Sequence, residues 1–402
     1  MCGIAGFCNF KEDFEENTDY WNFRLEKMRA VLAHRGNDAR GRFLKKHIGL
    51  SHSRLAIRDI LCGDQPMTRT HNGYDYTICY NGEIYNTDEL IPELSENGFV
   101  CSTTSDTEVI LYAYIHWGAD FVNRLNGIFA FAIWDAAKNR LLLYRDRVGV
   151  KPLFYAIRGD SLVFGSEPKA CFAHPAVKPE LDKQGLQELL AIGPAHTSGL
   201  SLFKDLFEVL PGHFMIYSQN GLHDETYWEL TSREHTESYQ DTVAHTRFLV
   251  EDAIKRQMVS DVPVCTFLSG GLDSSIISEI AARKMAAQGE RLCTYSVDYE
   301  DNDRYFQKSL FQPNADSDYI GLMAEAIGSD HRNVVLNNVD VAEALVEATL
   351  ARGVPGFTDV DSSLLLFCRQ VHRDFKVCLS GECADEIFGG YPWYHRQEIL
   401  FA

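Results

Sequence analysis

Short apolar runs bounded by turn-forming residues dominate the chain up to about position 230. Residues 77–80 run into Asn81-Gly82, residues 128–134 end at Asp135, and 140–144, 153–157 and 162–164 follow at short intervals. Runs of roughly four to eight residues punctuated in this way are the pattern of β-strands, so a two-sheet or sheet-rich layer is predicted. Two stretches carry a helical period instead. Residues 20–33 stop near His34-Arg35-Gly36, and 107–117 open at Ser105-Asp106, whose side-chain oxygens can cap free backbone N–H groups. Strands mixed with a few helices define an α+β first domain over residues 1–230.

The text then turns polar and aperiodic at 231–239 (TSREHTESY), which reads as a linker over 231–240. Beyond it strands and helices alternate: an amphipathic segment at 241–258, an apolar run at 262–268, a helix at 274–287, a run at 292–297, a helix at 319–327 and a strand at Val377–Leu379. Alternation of that kind predicts an α/β domain with a parallel sheet over 241–402. The final ten residues carry no helix stop, so this second domain is expected to be incomplete.

Composition narrows the partners. Of 402 residues, 45% are hydrophobic and 24% charged, and 38 Lys+Arg stand against 57 Asp+Glu for a formal charge of -19. An acidic chain of ordinary globular composition repels polyanions, which excludes nucleic acid and anionic membrane surfaces as partners. The apolar runs fall short of the ~18 residues a membrane-spanning helix needs. The eleven cysteines form no CxxC pair, and neither they nor the 14 histidines supply the two close pairs that tetrahedral zinc wants. A reducing, cytoplasmic setting without a structural metal follows.

Position 2 brings in chemistry. If Met1 is removed, Cys2 carries a thiol and a free α-amine on one residue. An α-amine of pKa ~7.7–8.0 is partly unprotonated at neutral pH and can serve as base for its own sulfur, without a histidine. The plain alternative is a cysteine packed in the core. Further motifs follow in order: His34-Arg35-Gly36, Ser53-Arg54-Leu55-Ala56-Ile57, Asn81-Gly82-Glu83-Ile84-Tyr85-Asn86, Arg145-Asp146-Arg147 with Gly149 and Lys151, and Ser166-Glu167. Singly, Asn81-Gly82 reads as a hairpin turn and Arg54 as a surface charge. Together the set resembles the class II glutamine amidotransferases, the N-terminal-nucleophile hydrolase sandwich. The resemblance implies that Cys2 attacks the amide of glutamine to give a glutamyl thioester and ammonia, with the Asn81 amide and the Gly82 N–H as oxyanion donors. It also implies that Arg54 clamps the substrate carboxylate within the stretch Arg54, Leu55, Ala56, Ile57 and Arg58, and that Glu83 and Asp106 bind the rest of glutamine and its ammonium.

The run at 262–268 leads into Ser269-Gly270-Gly271-Leu272-Asp273-Ser274-Ser275 and a helix. Glycines, hydroxyls and a helix N-terminus make a phosphate cradle, and an aspartate among phosphates points to a bridging Mg²⁺. The seven residues match the SGGxDSS loop of ATP pyrophosphatases. A second loop, Ser380-Gly381-Glu382-Cys383-Ala384-Asp385-Glu386, follows the strand Val377–Leu379; in open α/β sheets, ligands sit off such strand ends. The whole arrangement resembles the glutamine-hydrolysing asparagine synthetases. That resemblance implies ATP contacts at Leu268, Val297, Ser380 and Gly381, a pyrophosphate site over Ser269, Gly270, Gly271, Asp273, Ser274 and Ser275, Mg²⁺ at Asp273 and Asp385, and a catalytic carboxylate at Glu382. Aspartate would be activated by ATP as β-aspartyl-AMP and amidated by ammonia from glutamine. Residues 354–363 lie where the acceptor is expected, in wording that departs from the familiar bacterial pattern. A different carboxylate acceptor and a synthetase-inactive fragment are the alternatives, and a homodimer is left open as the assembly.

Overall fold

Along the first unit run the strands β1 (Gly3–Asn9), β2 (Ala39–Lys45), β3 (Ile48–Arg54), β4 (Met67–His71), β5 (Tyr74–Ile84), β6 (Gly127–Asp135), β7 (Arg140–Arg145), β8 (Phe154–Arg158), β9 (Ser161–Gly165), β10 (Phe207–Glu208), β11 (His213–Ser218) and β12 (Gly221–Thr226). They form two antiparallel six-stranded sheets, ordered β10-β8-β9-β1-β3-β2 and β12-β11-β7-β6-β5-β4. The two-residue side-chain period sends successive residues to opposite faces, so the central strand β6, covered on both sides, is apolar on both. In β6, Ala130, Ala132 and Trp134 pack between the sheets with Ile4 and Cys8 of β1, whereas Phe129, Phe131 and Ile133 pack outward with residues of the helices Thr87–Glu96 and Asp106–Trp117. On the outside of the other sheet, Ala5 and Phe7 of β1 meet Trp21, Leu25 and Met28 of the helix Thr18–Ala30. The unit is a four-layer sandwich, helix on sheet on sheet on helix. This computed structural model describes residues 1–307 and 316–400.

Three local readings differ from the sequence pattern. Asn81-Gly82 is not a turn: β5 continues through it to Ile84, pairing Asn81 with Ala130 and Gly82 with Phe129 of β6. A Cβ at position 82 would lie 2.3 Å from the Ile128 carbonyl oxygen, so the glycine serves close approach of β6. The first helix ends at Ala30, and a separate 3-10 turn, Ala33–Arg35, presents His34 and Arg35. The helix Asp106–Trp117 starts one residue before its predicted first residue, with Ser105 accepting from the Thr107 N–H.

The chain divides into two compact units, Met1–Glu234 with Arg352–Gly356, and His235–Ala351 with Phe357–Ala402; residues 401–402 of the expected second domain lie outside the described residues. In the second unit β13 (Val264–Phe267), β14 (Cys293–Tyr299), β15 (Asp330–Leu336) and β16 (Val377–Leu379) form a parallel sheet ordered β15-β14-β13-β16. Its helices include Tyr239–Gln257, Leu272–Ala286, Asp316–Ile327 and Thr358–Val371. β15 was not anticipated, because DHRNVVL opens with four polar residues. The second half of the segment expected to hold the acceptor opens the helix Thr358–Val371. Among the described residues, no helix is long and apolar enough to cross a membrane.

Candidate functional site

Cys2 stands at the head of β1 in one sheet, and its pocket is closed by residues of β5 in the other. The pocket is lined by Cys2, Arg54, Leu55, Ile57, Arg58, Gly63, Gln65, Tyr80, Gly82, Glu83, Ser105, Asp106 and Thr107. Cys2 Sγ lies 3.4 Å from the Leu55 N–H nitrogen and 3.6 Å from the Leu55 carbonyl oxygen. Burial pushes the Cys2 thiol up, and the Leu55 hydrogen bond works against it. Asn81 is 1% exposed, and its Nδ2 has no hydrogen-bond partner among the described residues. By strand alternation it faces the inter-sheet side, as Cys79 does. Leaving a buried amide donor unbonded costs about 1–3 kcal/mol, so this N–H group is open to an acceptor such as a substrate oxygen or a water.

Two carboxylates, the buried Asp106 and the half-buried Glu83, line the same pocket. Asp106 Oδ2 accepts from the Tyr80 hydroxyl at 2.8 Å and the Ile84 N–H at 3.0 Å, with Arg58 Nη1 at 3.8 Å. Burial pushes Asp106 up in spite of the Arg58 charge. Glu83 is pushed up to about 8, by burial first and by the Asp106 charge second. Two carboxyls so placed hold a proton that an ammonium group would displace.

Arg54 lines the pocket with its guanidinium already engaged. Nη1 donates to the Ile60 carbonyl at 3.1 Å and the Asp64 carboxylate at 3.0 Å, and Nη2 donates to the carbonyls of Arg58, at 3.3 Å, and Asp59. Gly63 leaves room for it, since a Cβ there would sit 2.4 Å from Nη2. Asp59 ties this loop down, accepting from the Cys62 N–H at 2.8 Å and the Thr104 N–H at 2.9 Å. Ala56 donates its N–H to Asp38 at 2.8 Å and is not among the lining residues.

Several pocket residues were not singled out in the sequence. Gly63, Gln65, Tyr80 and Thr107 line it beside Ser105, which the sequence offered as a helix cap, and Gln65 braces it by accepting from the Tyr80 N–H at 2.6 Å and donating to Thr107 Oγ1 at 3.2 Å. Only Tyr80 carried a signal, its position one before Asn81. Glu167 joins His34 at 2.8 Å, Lys169 at 2.8 Å and Arg35, and Arg35 Nη1 reaches the Cys2 carbonyl at 3.5 Å. Burial would raise the Glu167 carboxyl, but these partners hold it down at about 2.

In the second unit both loops leave adjacent strands, since β13 pairs with β16 through Val264↔Val377, Cys265↔Cys378 and Thr266↔Leu379. Gly270 has φ +79, Gly271 caps the helix Leu272–Ala286, and Ser274 Oγ bridges Ser269 Oγ at 3.0 Å and the Gly271 carbonyl at 3.1 Å. The two loops meet at Gly381, where a Cβ would come 3.2 Å from Asp273 Cβ and 3.4 Å from the Ser274 nitrogen. Burial, and then the Asp385 charge, push the Asp273 carboxyl up. Glu382 follows in the same loop, its N–H donating to Ser380 Oγ at 3.2 Å. Leu268 donates its N–H to the Tyr295 carbonyl at 2.8 Å, and Val297 lies two residues further along β14. Among the described residues no cluster of three or more metal-ligating side chains occurs.

Comparison with known proteins agrees with this division. Residues 1–228 match the glutamine amidotransferase domain family and residues 245–401 the asparagine synthase family. Fold and site thus define a glutamine amidotransferase domain joined to an ATP-pyrophosphatase-type domain. The chain belongs to the glutamine-hydrolysing asparagine synthetase family. It is 50% identical to asparagine synthetase [glutamine-hydrolyzing] 3 of Bacillus subtilis (strain 168), over 99% of this chain and 64% of that relative. It is 32% identical to a Methanocaldococcus jannaschii protein assigned as a second glutamine-hydrolysing asparagine synthetase, over 97% of this chain and 76% of that relative. The chain spans 64% and 60% of the lengths of the two B. subtilis asparagine synthetases numbered 3 and 1, less than two thirds of either. Among solved structures, the B. subtilis glutamine phosphoribosylpyrophosphate amidotransferase complexed with ADP and GMP aligns over 97% of both chains at 17% identity and a TM-score of 0.44.

Proposed function

We propose that this chain hydrolyses glutamine at Cys2 and uses the ammonia to amidate aspartate activated by ATP. The observation that carries the reading is the buried, unbonded Nδ2 of Asn81, next to Gly82 and Glu83 of the Cys2 pocket. In the first half-reaction the Cys2 α-amine takes the thiol proton, Sγ attacks the side-chain amide carbon of glutamine, and the developing oxyanion is received by Asn81 Nδ2 and the Gly82 N–H. Ammonia leaves with the proton held by the amine, and water releases glutamate from the thioester. Glu83 and Asp106 hold the substrate ammonium, and Arg54 its carboxylate.

In the second half-reaction the side-chain carboxylate of aspartate attacks the α-phosphorus of ATP, pyrophosphate leaves, and ammonia displaces AMP. The Ser269-to-Ser275 loop offers N–H and hydroxyl donors to the phosphates, and Leu268, Val297, Ser380 and Gly381 supply the backbone that meets the rest of ATP. Asp273 and Asp385 suit Mg²⁺: they are hard oxygen donors close enough for one charge to raise the other, beside a phosphate cradle. A Mg²⁺ held there would neutralise charge on the leaving pyrophosphate. Glu382 would supply the carboxylate that meets the activated acyl group. The eleven cysteines are all free, which supports a reducing cytoplasm as the setting.

Two substitutions test the two halves separately. Cys2→Ala should abolish release of glutamate from glutamine, and Asp273→Ala should abolish pyrophosphate release with aspartate and ATP. Glutaminase activity surviving the first, or pyrophosphate release surviving the second, overturns the corresponding half.

A further inference from the structure

The loop after β7 is built around one lysine. The Asp146 carboxylate accepts the backbone N–H groups of Phe129 at 3.1 Å, Val148 at 3.2 Å, Val150 at 2.9 Å and Lys151 at 2.9 Å. Arg145 closes the loop from the other side, donating to the carbonyls of Gly149 at 3.0 Å and Lys151 at 3.1 Å while Glu208 and the Val209 carbonyl hold its Nη1 at 3.0 and 2.7 Å. Gly149 has φ +73, and a Cβ there would meet Pro211 Cγ at 2.9 Å. Position 151 is therefore fixed at both its N–H and its carbonyl.

The side chain so fixed is buried, 8% exposed, without an ion pair among the described residues; burial lowers its pKa, and the Glu83 and Asp146 charges work against that to keep it an ammonium. Its Nζ donates to Met1 Sδ at 3.2 Å. A thioether is a weak acceptor, and burying an ammonium without a counter-ion is expensive, so such a group is a candidate for function rather than stability. Removal of Met1, the residue that precedes Cys2, takes that acceptor away.

We propose that Lys151 is a positioning residue for glutamine hydrolysis: its ammonium, held next to the N-terminus, keeps the Cys2 α-amine in the neutral form that accepts the thiol proton. This rests on the assignment of Cys2 as the nucleophile. An unperturbed α-amine, of pKa ~7.7–8.0, is mostly protonated at pH ~7 and blocked as a base. With Met1 in place, burial pulls the Met1 α-amine down to about 6; the Cys2 charge pushes back, and the Lys151 and Arg35 charges add to the lowering. The Cys2 amine that replaces it one residue further along would meet the same charges. Glu83 opposes the two cations when ionised, but it is itself pushed up to about 8 by burial and is protonated at neutral pH. The groups facing Lys151 are Glu83, Asp146, Arg35 and Cys2; Asp146 is tied to four backbone N–H groups and Arg35 to Glu167. Lys151 is thus a cation at the amine whose charge no neighbouring carboxylate neutralises by direct pairing.

The test compares Lys151→Met with Lys151→Arg in the mature chain. [¹⁵N]cysteine labelling gives one α-amino nitrogen, whose titration is read by ¹⁵N NMR beside the pH profile of glutaminase kcat/KM. In Lys151→Met the amine midpoint and the acidic limb should both move up by about half to one pH unit. At pH ~6.5 this is a roughly three- to tenfold loss of kcat/KM that shrinks as the pH rises. In Lys151→Arg the midpoint should stay within ~0.2 unit, the charge being retained. An unmoved midpoint in a folded Lys151→Met protein, or an equal loss at every pH in both variants, overturns the proposal. If Cys2→Ala retains glutaminase activity the nucleophile assignment fails instead, so the two failures are distinguishable.

Discussion

Asp64 holds the arginine proposed to receive the substrate carboxylate. Its carboxylate sits 3.0 Å from Arg54 Nη1, so a resident acid occupies a donor on the group expected to clamp the α-carboxylate of glutamine. Asp64 is 76% exposed and the pair is a weak one, so removing its charge should favour the substrate modestly. Asp64→Asn is expected to lower KM for glutamine about two- to fivefold with kcat unchanged, measured by steady-state glutaminase kinetics. Asn81→Ala should act on the other parameter, lowering kcat by about 10²–10³ with little change in KM, since its donor is used only as the oxyanion develops. Glu83 gives a third signature. Its carboxyl is protonated in the empty pocket below about 8, and an arriving ammonium favours the ionised form. Glutamine binding at neutral pH should therefore release up to one proton, falling towards none above that value, as read by calorimetry in buffers of different ionisation enthalpy. Positions 2, 54, 82, 83 and 106, singled out through the family resemblance of their motifs, line one pocket. That Arg54 is enclosed by its own loop was not legible in the sequence, because the enclosure is made by backbone carbonyls, which every residue carries.

At the level of elements, the strands that were easiest to read are those buried on both faces, β6 and β7, where apolar side chains alternate between two packed layers. β15 and β12 were missed for the opposite reason, their exposed faces being written in polar residues. Asn81-Gly82 shows how a local signal is overruled: the dipeptide suits a turn, but pairing with Ala130 and Phe129 keeps it straight. Between the sheets His52 acts as a strut, its Nε2 against the Tyr80 carbonyl at 3.0 Å, and Cys79 Sγ donates across the same gap to the Ser51 carbonyl at 3.3 Å. Burial holds His52 and His174 down at about 4, so the folded first unit excludes protons that the unfolded chain binds. Their stabilisation is present above the ordinary histidine range and is lost as pH falls towards 4; that of Glu167 persists to lower pH and is lost towards 2. The urea midpoint of the first unit should fall steadily below pH ~6, and His52→Asn should remove part of that dependence.

Across the molecule the two units differ in how much apolar surface they enclose. The first holds three large clusters, whereas in the second the cores centre on Cys265, Cys293, Tyr295, Phe367 and Val371 and on Ala281, Ala282 and Leu292. The helix Tyr239–Gln257 leaves Val243, Phe248 and Leu249 exposed and buries Ile254. Unequal cores predict unequal opening: amides of β13–β16 should exchange with deuterium faster than those of β1 and β6, and a calorimetric scan should show two transitions. The change of rhythm near position 235 made two units legible, while the relative strength of their cores depends on contacts that no linear pattern records. One consequence follows from where the chemistry of the first unit stands. The sulfur proposed to attack stands at the head of a strand of one sheet and the amide proposed to steady the charged oxygen lies in a strand of the other, so the packing between the sheets sets how far apart they stand. Squeezing or wedging apart the small side chains of that middle layer, Ala130 and Ala132, would retune the reaction from beneath without altering any group that touches glutamine.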